Sequence, residues 1–236
     1  MKIGPEMRYS RNFNTLDPEE QALLGKSRVA VVGLGGLGGG VCELLARIGV
    51  GRLTLIDGDR FDISNLNRQL LSQEDNLGRS KAKEAKKRVN QINSSVKAFA
   101  CPVFATQDNI RDLIQGAGLV VDCLDTIPAR FDLQDASRDL NIPLVSGAIA
   151  GVSGQVTVIF PDDPGFELIY GSRSRSLDGD RGIETRTGNL AHCAMFIAAL
   201  QVSETVKVLL GRGDALRKKL LIADLWTNSI EVMELI

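Results

Sequence analysis

The apolar run Arg28–Val32 (RVAVV) leads straight into Gly33-Leu34-Gly35-Gly36-Leu37-Gly38, and helical spacing takes over from Gly36 to Ile48. A short apolar run of this kind reads as a buried parallel strand. Glycines after it let the backbone turn tightly and approach phosphate oxygens, while the free N–H groups of the helix start face an anion. Asp57 closes the next strand, about twenty residues beyond the loop, where an acid commonly binds ribose hydroxyls. Gly33, Gly35, Gly36, Gly38 and Asp57 are therefore candidate nucleotide contacts. A purely structural tight turn is the plainer alternative. The motif does not name the nucleotide, because NAD-dependent dehydrogenases carry the same glycines and the same acid.

The alternation continues along the chain. Arg52–Asp57, Val96–Cys101, Leu119–Leu124 and Pro143–Ala148 read as strands; residues 79–93, Gln107–Gln115 and Ile127–Leu140 read as helices between them. Strands that alternate with helices imply an α/β, Rossmann-like, doubly wound and mostly parallel sheet. After Ala148 the pattern changes. Gln155–Phe160 alternates like a strand in a mixed sheet, Asn189–Leu210 is a long, mostly buried helix, and Lys219–Leu225 with Ile230–Leu235 forms a closing antiparallel hairpin around Trp226–Ser229. Residues 1–27 form a polar N-terminal arm with a short helix at Pro18–Leu24. Residues 28–236 form one domain, with a long polar loop at about 161–188 of the length that compact domains keep for function or leave disordered.

Composition narrows the partners. Hydrophobic residues make up 44% of the 236 and charged residues 24%, with a net charge of −1. That balance gives no reason to expect a nucleic acid or an anionic membrane surface. The longest apolar run, Ala191–Leu210, is broken by His192, Gln201, Ser203, Glu204 and Lys207, so no membrane span is expected. The N-terminus carries no apolar core after its first lysine and is not read as a secretory signal. Cys42, Cys101, Cys123 and Cys193 form no C-x-x-C pair, and His192 is the single histidine. Neither a disulfide framework nor a zinc site is expected, and the cytoplasm is the natural location.

The residues after the glycine turn discriminate between nucleotides. Residues 60–90 hold eight Lys/Arg and four Asp/Glu, a local net of +4. The glycine loop alone can hold a diphosphate, but a triphosphate with a departing pyrophosphate needs further cations beyond it. Arg68 and Lys81 are suited to that, whereas Lys83, Lys86, Lys87 and Arg88 read as a solvated helix face. Asp59, Ser64, Asn65 and Gln69 fall in the same polar clusters, Asp57-Gly58-Asp59 and Ser64–Gln69. Asp125 follows the strand LVVDCL at the carboxyl edge of the sheet, where open α/β sheets place ligands. It reads equally as a Mg²⁺ ligand against phosphate oxygens or, with Thr126, as the N-cap of the helix near Ile127.

Taken in order, these motifs resemble the MoeB/ThiF/HesA family of ubiquitin-activating-like adenylyltransferases over nearly the whole chain. The matching stretches are Arg8-Tyr9-Ser10-Arg11, Gly33–Gly38, the acidic strand end before Ser64–Gln69, Gly78–Lys81, Asp122-Cys123-Leu124-Asp125, and Ser146–Gln155. The resemblance implies that Asp57 binds the ATP ribose. It implies that Asn65, Arg68, Gln69 and Lys81 hold the triphosphate, that Asp125 places Mg²⁺, and that Arg11 reaches into the site of a second subunit of a homodimer. The activated group would be the C-terminal carboxylate of a small ubiquitin-like carrier ending in Gly-Gly, similar to ThiS or MoaD, with segment 161–188 covering its tail. A carboxylate is already ionised at neutral pH, so scarcity of histidine is no obstacle.

The chain also departs from the family pattern. The two zinc-binding C-x-x-C pairs of many members are missing, no rhodanese-like segment is expected among the residues up to Ile236, and no cysteine lies in 161–188, where Glu184 stands near the expected position. Cys193 reads as a buried core residue and His192 as a structural one, so adenylation is expected without a covalent thioester step. Two alternatives stand beside this reading. One is an NAD-dependent oxidoreductase, which leaves Arg68, Lys81 and Asp125 unexplained. The other is a nucleotide-binding scaffold that docks a ubiquitin-like partner without activating it.

Overall fold

The structure is a computed structural model and describes residues 5–172 and 187–236. One eight-stranded sheet, ordered β3-β2-β1-β4-β5-β6-β7-β8, organises them. The strands are β1 (Arg28–Val32), β2 (Arg52–Ile56), β3 (Lys97–Cys101), β4 (Leu119–Asp122), β5 (Leu144–Ala150), β6 (Ser153–Ile159), β7 (Lys219–Asp224) and β8 (Ser229–Glu234). The first five pair in parallel, and β5-β6-β7-β8 pair antiparallel. The expected doubly wound sheet with an antiparallel extension is what forms.

Helices α1 (Pro5–Arg8), α2 (Pro18–Lys26), α3 (Gly36–Ile48), α4 (Lys81–Ile92), α5 (Ile110–Ile114), α6 (Ile127–Asp139), α7 (Glu167–Tyr170) and α8 (Ala191–Leu210) complete the described elements. Strand pleat decides how they are layered, because successive side chains leave a strand on opposite faces. Val29 and Val31 of β1 enter one core with residues of α3, α4 and α8, whereas Ala30 and Val32 enter a second core with residues of α5 and α6. A central strand buried on both faces needs the continuous apolar run seen in its sequence.

Several elements differ from expectation. Helix α5 is shorter than 107–115, and β6 begins at Ser153, two residues earlier than expected. The stretch at 161–172, expected as loop, contains α7; most of the remaining loop and Glu184 lie outside the described residues. The described part of the arm, residues 5–27, packs onto the body. Asp17 and Glu20 form a reciprocal capping box at the start of α2, and Leu24 is fully buried. The Tyr9 hydroxyl accepts a 2.8 Å hydrogen bond from Asn93 Nδ2.

By length and composition α8 is apolar enough to cross a membrane, which corrects the expectation that no run would qualify. Of its polar residues, His192 and Ser203 are exposed, while Gln201, Glu204 and Thr205 are buried and bonded inside the protein. Gln201 donates to the Asp122 carbonyl at 2.8 Å, Thr205 donates to the Gln201 carbonyl at 2.8 Å, and Glu204 accepts the Leu216 N–H at 2.8 Å. Buried polar groups satisfied in this way mark a core helix that covers β5 and β6.

Candidate active site

The glycine turn closes against the neighbouring strand. Gly33 has φ +87°, and a Cβ there would lie 2.6 Å from the Cys123 carbonyl oxygen. A Cβ on Gly38 would lie 1.9 Å from the Gly33 carbonyl oxygen. Glycine is therefore required at both positions by space, and at Gly33 by dihedral as well. Gly35 differs. It caps the N-terminus of α3 without a side-chain hydrogen bond, and the nearest atom to a Cβ built there is Gln69 Nε2 at 3.6 Å. Gly35, Gly36 and Leu37 of this uncapped helix start border open space.

That space is a cleft of about 800 Å³ at the carboxyl edge of the parallel strands. Gly33, Gly35, Gly36, Asp57, Asp59, Asn65, Arg68, Gln69, Lys81 and Asp125 all line it. Residues from five separate stretches of chain therefore meet on one ligand-sized cavity.

Asp57 ties the cleft floor together. Its two carboxylate oxygens accept the Leu34 N–H and the Asp59 N–H, each at 2.7 Å, which locks the glycine turn to the segment after β2. Lys81, at the start of α4, is buried, and its Nζ lies 3.0 Å from Asp59 Oδ2. Asn65 is buried, and its side-chain oxygen accepts the Asp62 N–H at 3.0 Å. Arg68 donates to the Ser64 carbonyl at 2.9 Å and to Asn67 Oδ1 at 3.0 Å. Gln69 is buried, and its Oε1 has no hydrogen-bond partner among the described residues. An orphaned polar atom beside an uncapped helix start fits a cavity built to hold a polar ligand.

Three of the expected residues do not reach this wall. Gly38 is buried, packed against the Gly33 carbonyl rather than facing the cleft. Ser64 is exposed, and its backbone serves the Asp62–Asn65 turn and Arg68 instead. Arg11 is exposed on the arm and absent from the lining of this chain's cleft. The open question at Asp125 narrows, because the N-cap of α6 is Thr126, with no side-chain capping bond. Asp125 is exposed and its carboxylate accepts no hydrogen bond among the described residues. Those residues contain no cluster of three or more His, Cys, Asp or Glu that could hold a metal ion.

Sequence reading missed a buried network beneath Asp125. Arg130 donates from Nη1 to Asp122 Oδ2 at 2.7 Å, to Ser146 Oγ at 3.0 Å and to the Gly147 carbonyl at 2.9 Å. The available signal was an arginine on a helix face otherwise packed into the core, eight residues after Asp122. A second missed contact joins Gln155 Nε2 to the Tyr170 hydroxyl at 2.8 Å on the cleft wall.

The cysteines are not poised for nucleophilic work. Cys193 is fully buried, its thiol donates to the Ser153 carbonyl at 3.5 Å, and burial pushes its pKa up. Burial also raises Cys123, and raises Cys42 to about 12. Thiolate reactivity requires the opposite environment.

A parallel-strand edge that opens on a glycine turn defines a nucleotide-binding α/β protein. The sequence model of the ThiF family matches residues 9–236, and the chain belongs to that family, as a nucleotidyltransferase. It is 35% identical over 228 residues to the SAMP-activating enzyme E1 of Haloferax volcanii, covering 96% of this chain and 84% of that protein. It is 36% identical over 225 residues to the sulfur carrier protein adenylyltransferase of Thermus thermophilus, covering 92% of this chain and 82% of that one. A third relative, the adenylyltransferase and sulfurtransferase MOCS3 of Drosophila sechellia, is 36% identical over 92% of this chain, which spans 48% of its length. Among solved structures, PaaA superposes with a TM-score of 0.81 at 24% identity over 100% of this chain and 75% of its own, a likeness of fold.

Proposed function

We propose that this enzyme uses ATP to convert the C-terminal glycine carboxylate of a small ubiquitin-like sulfur-carrier protein, ThiS- or MoaD-like and ending in Gly-Gly, into an acyl-adenylate with release of pyrophosphate. The observation that carries the reading is the meeting of Lys81, Arg68, Asn65 and Gln69 on the cleft that the uncapped α3 N-terminus faces. A nicotinamide dinucleotide has only a diphosphate, which the glycine turn alone can hold, and leaves Lys81 and Arg68 no leaving group to neutralise.

The carrier carboxylate attacks the α-phosphorus, and the bond to the β-phosphate bridging oxygen breaks. Both reactants are anions, so the site's work is electrostatic and positional rather than acid–base. The α3 N–H groups and Gln69 would hold phosphate oxygens, and Lys81 and Arg68 would offset the charge that collects on the departing pyrophosphate. Asp57, though it binds two backbone N–H groups, keeps lone pairs for ribose hydroxyls. Asp125, without a bonded partner among the described residues, fits a single-carboxylate Mg²⁺ site completed by phosphates, a geometry this ion commonly takes. Mg²⁺ bound there would supply neutralisation of phosphate charge.

The arm supports a homodimeric arrangement. Tyr9 docks at the C-terminal end of α3, where a Cβ on Gly49 would lie 2.3 Å from its hydroxyl. The glycine turn lies at the other end of this 13-residue helix, about 20 Å away by helical rise. Arg11 is two residues from Tyr9, so the site it serves would belong to a second copy.

The test is carrier-dependent exchange of labelled pyrophosphate into ATP. Exchange with a Gly-Gly carrier is expected, and none with a carrier truncated by its last glycine. Tight NAD binding without exchange by any carrier would replace this reading with the oxidoreductase, and nucleotide and carrier binding without exchange would replace it with the scaffold.

A further inference from the structure

We propose that Arg130 is the positioning residue that aims Asp125 into the cleft, acting through the backbone of residues 122–124; this rests on the adenylation reading above. Arg130 and Asp122 form a buried ion pair, with side chains 6% and 0% exposed. Besides its bonds to Asp122, Ser146 and Gly147, the guanidinium donates from Nη2 to the Leu124 carbonyl. Asp122 in turn accepts the Leu124 N–H on Oδ1 at 2.9 Å. Both polar groups of the Leu124 backbone are thus held by one ion pair. Cys123 donates its N–H to the Val32 carbonyl at 2.9 Å, and its own carbonyl occupies the space over Gly33. Asp125 is the first residue past this tied stretch and the first of it to be exposed.

The geometry separates this role from a direct phosphate contact. Arg130 borders the cleft, yet both terminal nitrogens point at acceptors within the protein. Its planar fork is what lets one side chain span the end of β4, the middle of β5 and the loop between β4 and α6; a lysine ammonium keeps the charge beside Asp122 but cannot span them. The residue therefore governs where the Asp125 carboxylate stands relative to Mg²⁺ and has little bearing on nucleotide held without metal.

The experiment measures calorimetric binding of α,β-methylene ATP to the full chain, with and without Mg²⁺ and without carrier, so that no turnover enters. Arg130→Lys is expected to leave metal-free affinity unchanged and to remove about tenfold or more of the gain that Mg²⁺ brings, as supporting residues around metal ligands typically do. In an Asp125→Ala background Arg130→Lys should have no further effect on that gain, since the two act on one step. An undiminished Mg²⁺ gain in Arg130→Lys overturns the proposal, as does an equal fall in metal-free affinity, which would mark a direct phosphate contact. If Arg130→Lys does not fold, Ser146→Ala carries the test: it should show the same selective loss to a smaller degree, and an unchanged gain overturns the proposal. A wild-type protein indifferent to Mg²⁺ would instead sink the reading of the site itself.

Discussion

Lys81 is held twice by Asp59. Its ammonium lies 3.0 Å from the Asp59 carboxylate, and its backbone N–H donates to the Asp59 carbonyl at 3.0 Å. A buried ammonium needs a partner to stay charged, and a carboxylate that is itself half in water supplies one at little desolvation cost. Asp59, expected among the nucleotide contacts, does line the cleft, with its carboxylate turned to Lys81. The pairing gives Asp59 the work of aiming Lys81. Lys81→Ala is expected to lower the rate of pyrophosphate exchange by about 100-fold or more, as loss of a transition-state charge contact does. Asp59→Asn, which keeps an oxygen for Lys81, should cost roughly tenfold. An Asp59→Asn enzyme with tighter ATP binding and undiminished exchange would contradict the assignment.

Gly33→Ala places a methyl group against the Cys123 carbonyl at a positive φ. The strain is expected to destabilise the fold by about 1–3 kcal/mol and to push the α3 N-terminus out of register with Asp57. Thermal unfolding and nucleotide binding should both suffer, whereas Gly78→Ala, also at positive φ but with open space around it, should affect stability alone.

If Arg11 serves the opposite subunit, Arg11→Ala and Asp125→Ala proteins should each be inactive alone and complement when mixed. Random re-pairing makes half of the dimers mixed, and each mixed dimer has one intact site, so about a quarter of wild-type exchange should return. No recovery in a mixture shown to contain mixed dimers would place Arg11 outside the active site.

Glu43 links α3 to α4 through Arg88 at 2.7 Å, and pairs within α3 with Arg47 at 2.6 Å. Burial pushes its pKa up, but the hydrogen bonds from the two guanidinium groups outweigh that and hold it below its ordinary value of 4.5. Its contribution is therefore complete above the unfolded value and is lost as pH falls through the lower folded one. Glu43→Gln should cost about 2 kcal/mol at neutral pH, and the gap to wild type in urea unfolding should close as pH drops below the carboxylate range. A gap that persists in acid would mean that packing, not charge, sets it.

Cys193→Ala should leave carrier-dependent exchange intact and lower stability by about 1 kcal/mol, the scale of a small core cavity. Alkylation of the native protein, followed by peptide mass spectrometry, should leave Cys193 unmodified. Rapid modification, or a carrier–Cys193 adduct, would restore the covalent step the sequence argues against.

How much of the site was legible depended on whether the signal was local. The glycine turn, Asp57, Arg68 and Lys81 were readable because each belongs to a short run whose spacing to a strand or helix end is set by the chain itself. Arg130 was not, because a single arginine in a helix carries no mark of the buried Asp122 it will meet. Ser64 was over-read: the motif around it is a turn whose backbone positions Asn65 and Arg68, and the exposed serine serves Asp62 rather than the cleft. The polar breaks in α8 do not by themselves mark it as a core helix, because it is long and apolar enough to cross a membrane; what Gln201 and Glu204 do is visible only in their bonds to Asp122 and Leu216.

The order of short apolar strands, helical spacings and glycines determined a doubly wound sheet with a phosphate-sized turn after its first strand, because period and dihedral permission are properties of neighbours along the chain. Only the tertiary structure decided which groups share the cleft and which are spent holding it. Lys81 comes to Asp59 across 22 residues and Asp122 to Ser146 across 24, distances in sequence that no local pattern encodes. Those pairings follow from the parallel register of β4 with β5 and from the seating of α4 beside β2, since desolvation obliges each buried polar group to find whichever partner the fold brings within reach.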